Sequence, residues 1–485
     1  MIQNYSYYLD QFNEYGEVTE INYPIVSVVG LPSGKLNELV VFETGEKGQI
    51  LALHDEAVSI MLFSQTRVKI GTKVSRSDSH ISVPTGDALL GHILSPFGLP
   101  LSTTVTAPEV EQTRPIDSEP SGISKRAKIT KPLATGTALV DILVPIGKGQ
   151  RQLVLGDRKT GKSTFALSTA NSHIQQGGIV IYAAIGKKMA EIKHLEEFMN
   201  QGNRKKNMII VATSASDSPC LIYLTPFTAM TLAEYFRDKG EEVLIVMDDL
   251  LTHAKFYREF ALLAQTFPGR DSYPADVFHI HAKLLERAGN FKHEENDQAS
   301  ITCLPIVETQ DADLTGYIVS NLMSVTDGHI FFDGNLFAQG RRPAINIPLS
   351  VTRVGKQTQD RIGKDINREL SSLFSMYERV ENLSHFGSEM TDSVKSIFEV
   401  GERVYNYLNQ PAGMIIPKEV SLVLFSLVWL NIISDEASIE TTRKKLLTAC
   451  EKDENLLFLR SLLNAESFND LLKNVKKYKD QILAL

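Results

Sequence analysis

Eight consecutive residues, from Gly156 to Ser163, carry the clearest chemistry in this chain. They match the phosphate-binding pattern G-x-x-x-x-G-K-[ST] at every position. The glycines allow a tight turn whose N–H groups point at phosphate oxygens, and the N-terminus of a following helix favours negative charge. Lys162 is therefore expected to reach the β- and γ-phosphates, and Ser163 to ligate Mg²⁺. The predicted nucleotide-binding residues of this loop are Gly156, Asp157, Arg158, Lys159, Thr160, Gly161, Lys162 and Ser163.

The residues on both sides of the loop predict the elements that must position it. Gln152 to Leu155 is a short apolar run that predicts a strand, and Lys162 to Asn171 predicts a helix. A strand, a loop and a helix in this order are the setting that the motif requires.

A second apolar run ends in two acidic residues. Val243 to Met247 predicts a buried parallel strand, and Asp248 and Asp249 follow it directly. A carboxylate at such a strand end can hold Mg²⁺ through water beside a phosphate loop. We expect Asp248 to take part in the Mg²⁺ site and Asp249 to have a structural role.

Composition limits the classes of protein that the chain can represent. Its 485 residues, 43% of them hydrophobic, are enough for several domains with sizeable cores. The net charge of −8 argues against nucleic-acid binding through bulk charge. Cys220, Cys303 and Cys450 are expected to be free, buried thiols in a reducing compartment. The apolar stretch from Val420 to Ile433 is shorter than the roughly 18 residues of a membrane span, so it predicts a buried helix and no membrane insertion.

Three patterns of secondary structure follow one another along the chain. Short apolar strands extend to about residue 80 and predict a small β-barrel or sandwich. Residues 102–131 are rich in proline, serine, threonine and charge, and are expected to form a surface connection. From about 132 to 360, β-runs alternate with helical patterns as in a parallel α/β sheet, and leucine-rich helices follow. The predicted domains of this α/β multidomain chain are residues 1–80, 81–360 and 361–485.

Several longer motifs occur in a fixed order around the loop. They include Pro132-Leu133-Ala134-Thr135-Gly136 before it, and Pro268 to Phe278, Ser324 to Ile330 and Ser350-Val351-Thr352-Arg353-Val354-Gly355 after it. From about residue 25 to about residue 420 the chain thereby resembles the alpha subunit of F-type ATP synthases. The resemblance implies an N-terminal β-barrel, a central RecA-like P-loop nucleotide-binding domain and a C-terminal α-helical domain.

The same resemblance implies an assembly and its ligands. Three alpha-type and three beta-type subunits would alternate in a hexameric ring around a rotating gamma-type stalk, with ATP or ADP and Mg²⁺ bound. The complex would lie on the cytoplasmic, inner face of the cell membrane and couple ATP synthesis or hydrolysis to transport of H⁺ or Na⁺. The N-terminal extension is short, so attachment of a peripheral stalk stays open.

Lys187 departs from the pattern of the catalytic relatives. These relatives carry a glutamate just after the strand that follows the phosphate-loop helix, where it polarises the attacking water. Lys187 stands at that position here, and an ammonium group has no acceptor atom for this task. The alpha family usually has glutamine there. Glu191, four residues later, is expected to be a solvated surface residue. The resemblance thus implies that the isolated chain binds nucleotide without hydrolysing it.

Further residues take their expected roles from the resemblance. Arg353 matches an arginine finger that would act on a nucleotide held by the neighbouring beta-type subunit, for which a permanently charged guanidinium is suited. Ser324 matches a position near the same phosphate. Gln410 matches the first glutamine of a Q-x-Q adenine pocket, whereas Ala412 stands at the second. Lys159 stands where the family typically has glutamine.

Two alternatives remain open at this point. One is a self-sufficient hexameric P-loop ATPase, either a secretion ATPase or a Rho-like helicase, and Lys187 and the acidic net charge count against it. The other is a ring subunit that has been repurposed in another machine.

Overall fold

The computed structural model describes residues 3–64, 68–101, 111–294, 297–384 and 392–485. They divide into two compact units. The first unit holds the described residues within 1–127, 177–308 and 313–326, and the second holds those within 128–176, 309–312 and 327–485. Residues 102–110 of the predicted surface connection lie outside the described part of the chain.

A closed β-barrel forms the N-terminal part of the first unit. A short helix and the barrel strands have the bounds α1 Tyr5–Phe12, β1 Tyr15–Asn22, β2 Ile25–Val29, β3 Glu38–Phe42, β4 Lys47–Leu53, β5 Val58–Leu62 and β6 Lys73–His80. The strand order is β1, β2, β5, β4, β3, β6, and β1 pairs with β6 to close the barrel. Val26, Val40, Phe42, Ile60 and Val74 fill its interior. Closure pairs both edges of the sheet, and it decides between the barrel and the sandwich that the sequence left open.

Strands and helices alternate after the barrel, as the sequence predicts. The bounds up to the fifth helix are β7 Ser82–Thr85, β8 Ile93–Leu94, β9 Gln112–Pro115, β10 Pro132–Leu133, α2 Ala138–Leu143, β11 Ile146–Gly147, β12 Gln152–Gly156, α3 Lys162–Gln175, β13 Ile179–Lys187, α4 Met189–Asn200, β14 Met208–Ser214 and α5 Pro219–Asp238. The remaining bounds are β15 Glu242–Asp248, α6 Leu250–Leu263, α7 Val277–Glu286, β16 Gly289–His293, β17 Asp297–Glu308, α8 Tyr317–Val325, β18 Gly328–Phe332, α9 Gly334–Ala338 and β19 Val351–Thr352.

The strands of the first unit's α/β part lie parallel in the order β17, β15, β13, β14, β8, and β16 pairs antiparallel with β17. The centres of β13, β14 and β15 are buried, which explains their nearly continuous apolar sequences. Ala184 of β13 stands opposite Asp248 of β15. This register brings the residues at the carboxyl ends of the two strands together.

In the second unit, β12 runs parallel to β18, and β18 pairs antiparallel with β19. Gly156, the last residue of β12, stands opposite Phe332. A Cβ atom on Gly156 would lie 2.2 Å from the carbonyl oxygen of Phe332, and its φ is 148°. Only glycine fits this position, which is where the chain leaves the strand for the loop.

A group of helices forms the C-terminal part of the second unit. Their bounds are α10 Arg361–Ser384, α11 Asp392–Leu408, α12 Lys418–Trp429, α13 Glu436–Ala449, α14 Asp453–Leu463, α15 Phe468–Lys477 and α16 Lys479–Ala484. Helix α12 is the buried helix that the sequence predicts, and its Phe425 packs against Tyr407, Trp429 and Phe468. Within the described ranges, every helix is too short or too polar to cross a bilayer.

The predicted fold class is confirmed: a barrel, an α/β nucleotide-binding part and a helical region follow one another. The proposed boundaries after residues 80 and 360 stay a prediction, although β6 ends at His80 and α10 begins at Arg361.

Of the three cysteines, Cys220 and Cys303 are buried as expected, but Cys450 is only partly buried, because it lies at the C-terminal end of α13.

Candidate nucleotide-binding site

The loop between β12 and α3 wraps around a buried ammonium group. Lys162 Nζ donates hydrogen bonds to the carbonyl oxygens of Gly156 at 2.7 Å and of Asp157 at 2.6 Å. The hydroxyl of Thr160 donates to the same Asp157 oxygen at 2.7 Å. Lys162 is only 6% exposed, whereas Ser163 beside it is exposed. A cation enclosed by a turn of backbone at a helix N-terminus is an arrangement that suits phosphate.

Asp157 fixes the loop to a second segment of the same unit. Its carboxylate accepts hydrogen bonds from Thr309 Oγ1 at 2.6 Å and from the N–H group of Ala312 at 3.1 Å. The N–H group of Thr309 in turn donates to the carbonyl oxygen of Gly156 at 3.0 Å. The side chain of Asp157 therefore serves to anchor the loop.

Arg158 and Lys159 lie at the exposed tip of the loop. Lys159 has a φ of 62°, in the left-handed region that residues other than glycine seldom adopt. This conformation costs roughly 1–2 kcal/mol for a residue with a Cβ atom. The contacts of Asp157 and Lys162 therefore impose the shape of the loop against the preference of Lys159.

A cavity of about 280 Å³ adjoins the loop in the second unit. Thr160, Gly161 and Thr164 line it at the start of α3. Its other walls include Phe332, Phe337, Arg342, Pro343, Gln410 and Ala412. The cavity is close to the lower end of the range of roughly 300–1,000 Å³ for small-molecule sites. It thus suits one part of a nucleotide, the base, beside phosphates on the loop.

Gln410 lies in the wall of this cavity, but its amide is engaged elsewhere. The amide oxygen accepts from the N–H group of Ala138 at 3.0 Å. The amide nitrogen donates to the carbonyl oxygens of Gly136 at 2.7 Å and Met414 at 2.5 Å. The structure thus brings Gln410 and the loop to one cavity, while the polar atoms of Gln410 bind backbone groups.

Lys187 forms an ion pair with the predicted Mg²⁺ residue. Its Nζ lies 2.6 Å from Asp248 Oδ1 and 3.6 Å from Asp249 Oδ2. The hydroxyl of Tyr182 donates to the other carboxylate oxygen of Asp248 at 2.8 Å. Both Asp248 and Asp249 are only 4% exposed. Lys187 is therefore an ammonium group bound to two buried carboxylates, and its match to the catalytic glutamate position stays a prediction.

The pKa shifts in this cluster have a common electrostatic origin. Burial lowers the pKa of Lys187, but the charges of Asp248 and Asp249 more than offset this and leave its pKa above the ordinary value. Burial raises the pKa of Asp249, and the charge of Lys187 opposes that rise. Burial and the charge of Asp248 also raise the pKa of Tyr182 well above its ordinary value. Lys187 thus stays protonated and Tyr182 stays a neutral donor at neutral pH.

Two neighbouring acids have local structural tasks. Asp249 accepts from the N–H group of Thr252 at 2.7 Å and from its hydroxyl at 2.9 Å, which makes it the N-cap of α6. Glu191 is exposed and accepts from the N–H group of Lys188 at 3.0 Å at the start of α4. Both carboxylates therefore accept hydrogen bonds that hold the start of a helix.

Arg353 is exposed at the end of β19, on a segment that is firmly held. Its N–H group donates to the carbonyl oxygen of Asp327 at 3.0 Å. Asp327 is fixed by a two-pronged pairing with Arg151, at 2.8 Å and 3.1 Å. Thr352 donates to the carbonyl oxygen of Pro145 at 2.9 Å. The backbone of Arg353 is thus anchored while its side chain reaches the surface.

Ser324 lies in the other unit and is exposed on α8. Its hydroxyl donates to the carbonyl oxygen of Ser320 at 3.0 Å, one turn earlier in the helix. Its predicted position near the phosphate that Arg353 contacts stays a prediction.

The predicted Mg²⁺ ligands, Ser163 and Asp248, belong to different units. Ser163 presents an exposed hydroxyl group at the start of α3, which suits a magnesium ligand. Asp248 suits the ion less well, because Lys187 and Tyr182 already engage both of its carboxylate oxygens. The hydroxyl group of Ser163 has the chemistry of a Mg²⁺ ligand. The Mg²⁺ roles of Ser163 and Asp248 both stay predictions, and the contacts of Asp248 with Lys187 and Tyr182 do not favour its role.

The structure places several residues at the site that the sequence motifs did not indicate. Tyr182 lies inside an apolar run, and only the register of β13 and β15 pairs it with Asp248. Phe337 and Arg342 form a wall of the cavity, with the guanidinium 3.6 Å from the ring centroid. The adjacent residues Arg342 and Pro343 are the part of the sequence from which this cavity wall could have been predicted.

Comparisons with known proteins show which family this sequence resembles. A model described as the ATP synthase alpha/beta family, nucleotide-binding domain, matches residues 136–352. The chain is 36% identical over 480 residues to an ATP synthase subunit alpha of Sulfurovum sp. (strain NBC37-1), covering 99% of this chain and 93% of the relative. It is 39% and 38% identical over 404 residues to those of Mycoplasma genitalium and Mycoplasma pneumoniae, covering 83% of this chain and 77% of each relative.

Proposed function

The chain belongs to the family of ATP synthase alpha subunits, and we propose from this premise that it is the nucleotide-binding, non-catalytic member of the ring in an F-type ATP synthase or ATPase. It holds ATP or ADP on the loop from Gly156 to Ser163 and in the adjoining cavity. It completes the catalytic site of a neighbouring beta-type subunit, and the isolated chain does not turn over ATP.

The ion pair of Lys187 carries the non-catalytic part of this proposal. A general base needs a free acceptor within hydrogen-bond reach of the attacking water. Lys187 has three donors and no acceptor, and its ammonium group lies 2.6 Å from Asp248. Glu191 and Asp249 do not replace the missing base, because each accepts hydrogen bonds at the start of a helix.

The anchored backbone and exposed side chain of Arg353 support its role as an arginine finger. A guanidinium that stabilises charge on a neighbour's phosphates must reach out of its own subunit and must be held in place. Arg353 meets both conditions through the hydrogen bond to Asp327 and its exposure. Ser324 is proposed as a weaker contributor to the same phosphate site.

The residues of the loop determine which groups of a bound nucleotide the site is proposed to hold. Lys162 is expected to leave its backbone partners and contact the β- and γ-phosphates, while N–H groups at the start of α3 bind the other oxygens. Ser163 would hold Mg²⁺. When bound, Mg²⁺ neutralises phosphate charge. Gln410 shapes the cavity by holding the backbone of Gly136 and Met414.

The proposed partners are alternating beta-type subunits and a gamma-type central stalk, with a peripheral stalk as a further partner. The chain would reach the inner face of the cell membrane through this complex, without inserting into it. Its work there would be coupled to the movement of H⁺ or Na⁺ by other subunits.

The test uses the native complex and the purified chain in parallel. Arg353→Ala should lower ATP turnover by the complex by a factor of about 10³ or more, and leave nucleotide binding by the isolated chain unchanged. Lys356→Ala, which removes an exposed cation three residues away, is the matched control and should leave turnover nearly unchanged. Full turnover by the Arg353→Ala complex would refute the arginine finger. Turnover by the isolated chain that depends on Lys162 would instead favour a self-sufficient hexameric ATPase.

A further inference from the structure

We propose that the cavity beside the loop accepts a nucleotide base by shape and stacking rather than by hydrogen bonds, so that it binds GTP and ITP about as tightly as ATP. The inference rests on the proposed function, because it concerns the specificity of the same site. It follows from the side chains that line the cavity in the second unit.

Gln410 has little hydrogen-bonding capacity left for a base. A glutamine amide has two N–H donors and one carbonyl oxygen with two lone pairs. Its two donors serve the carbonyl oxygens of Gly136 and Met414, and its oxygen serves the N–H group of Ala138. Gln410 is also only 5% exposed. Turning the amide toward a base would break buried hydrogen bonds, at about 1–3 kcal/mol for each group left unpaired.

Arg342 is the charged side chain in the wall, and it offers donors alone. Its Nη1 already donates to the carbonyl oxygens of Phe337 at 2.9 Å and Arg341 at 2.7 Å. The amino group of adenine is a donor and gains nothing from a guanidinium, whereas the C6 oxygen of guanine or hypoxanthine can accept from one. Arg342 therefore gives adenine no advantage over the other purines.

The remaining wall facing the base is largely apolar. Phe332, Phe337, Pro343 and Ala412 offer surfaces on which a flat ring can pack. Stacking on aromatic rings is worth roughly 1–3 kcal/mol per base and hardly depends on the base, because every base has a π-face. Strong discrimination requires a site whose buried polar groups are paired by one ligand and left unpaired by another. The hydroxyl groups of Thr137, Thr164 and Ser168 also line the cavity. A hydroxyl group rotates and can both donate and accept, so it pairs with any purine and does not select adenine.

The experiment measures competition by ATP, GTP, ITP and tripolyphosphate against a fluorescent ATP analogue on the purified full chain. We expect the dissociation constants of the three nucleotides to agree within about tenfold and tripolyphosphate to bind more weakly than all of them, since it lacks the stacked base. A larger preference for ATP would overturn the inference. Tripolyphosphate binding as tight as ATP would overturn it too. Failure of every compound to bind would reject the proposed function as well, so the two failures are distinguishable.

A pair of variants tests the mechanism directly. Ala412→Gln places an amide at the exposed edge of the cavity, where it can pair with both the amino group and N7 of adenine. It should raise the preference for ATP over GTP by about tenfold or more. Ala412→Met adds a side chain of similar length without hydrogen-bonding groups and should leave the ratio near one. A high ATP preference in the Met variant would contradict the proposal, because it would show that selectivity at this site does not require hydrogen bonds to the base.

Discussion

At the scale of single residues, Lys187 is the side chain from which we infer a site that does not hydrolyse its nucleotide. The position lies at the end of β13, one strand away from Asp248, where a carboxylate could face a water molecule. The ammonium group instead binds Asp248 and Asp249, and Tyr182 completes the cluster. Lys187 therefore offers no acceptor atom at this position and forms a buried ion pair there.

Lys187→Met tests the strength of that pair. Removing one partner of a buried pair leaves an uncompensated charge, which typically costs 3–5 kcal/mol. The side chain of Lys187 is 15% exposed and that of Asp248 is 6% exposed, so we expect a loss of about 3 kcal/mol or more in urea denaturation. Lys188→Met, at the exposed neighbouring position, should change stability by less than about 0.5 kcal/mol. Equal stabilities of the two variants would show that the pair contributes nothing.

The sequence predicts some residues of the site well and others poorly. The loop from Gly156 to Ser163 is encoded locally, so its position and its neighbouring elements could be predicted. The contacts of Gln410 and Lys187 could not, because they join residues far apart in the chain: Gln410 holds Gly136 and Ala138, and Lys187 holds Asp248. The Q-x-Q motif predicted that Gln410 lies at the base-binding cavity. The direction of its amide could not be predicted, because it depends on those distant backbone groups.

At the scale of elements, the turn before α2 supports the cavity wall. Asp141 in α2 accepts hydrogen bonds from the N–H groups of Thr135 at 2.9 Å and Gly136 at 3.1 Å, and from the hydroxyl of Thr135 at 2.7 Å. The same turn binds Gln410 through Gly136. Burial raises the pKa of Asp141 to about 6, although these donors act in the opposite direction. The turn is therefore held by a carboxyl group that keeps its proton to a higher pH in the folded chain than in the unfolded chain.

Asp141→Asn should remove part of the pH dependence of stability. Below a pH of about 4 the carboxyl is protonated in both the folded and the unfolded chain. Between pH 4 and about 6 the unfolded chain releases the proton first, so the free energy of unfolding falls as pH rises, by at most about 1.4 kcal/mol per pH unit. The stabilisation is lost as the pH passes about 6. Urea denaturation should show this slope in the parent and not in the variant, and parallel curves would contradict the assignment.

The segment that carries Arg353 passes very close to another part of the chain at Gly355. A Cβ atom on Gly355 would lie 1.6 Å from the carbonyl oxygen of Pro145, so the chain after β19 can pass this point only with glycine. Sequence motifs predicted the importance of Arg353 but not this close approach, since it involves a residue about 200 positions earlier.

Gly355→Ala should displace Arg353 without disturbing the loop. We expect a loss of about 1–3 kcal/mol in stability, as for other overpacked sites, and a marked fall in ATP turnover by the complex. Nucleotide binding by the isolated chain should persist. Gly122→Ala, where the added Cβ meets no atom within 4 Å, is the matched control. A Gly355→Ala complex with full turnover would contradict the positioning role of the segment.

At the scale of the whole molecule, alternation of strands and helices predicted the fold class, and the family resemblance predicted the order of barrel, α/β part and helices. Local patterns alone left barrel and sandwich open, since both use short alternating strands. The pairing of β1 with β6 decides between them, and it joins residues about 60 positions apart. Long-range pairing is the information that local periodicity lacks.

The central claim is that this chain holds ATP without hydrolysing it, and a single-turnover measurement tests it most directly. Purified chain, in excess over radiolabelled ATP, is incubated with Mg²⁺ and quenched at intervals, with Lys162→Ala as the control for binding at the loop. The account predicts that the parent binds ATP and returns it intact, while the control no longer binds it. Conversion of the bound ATP to ADP and phosphate by the parent, abolished by Lys162→Ala, would contradict the account.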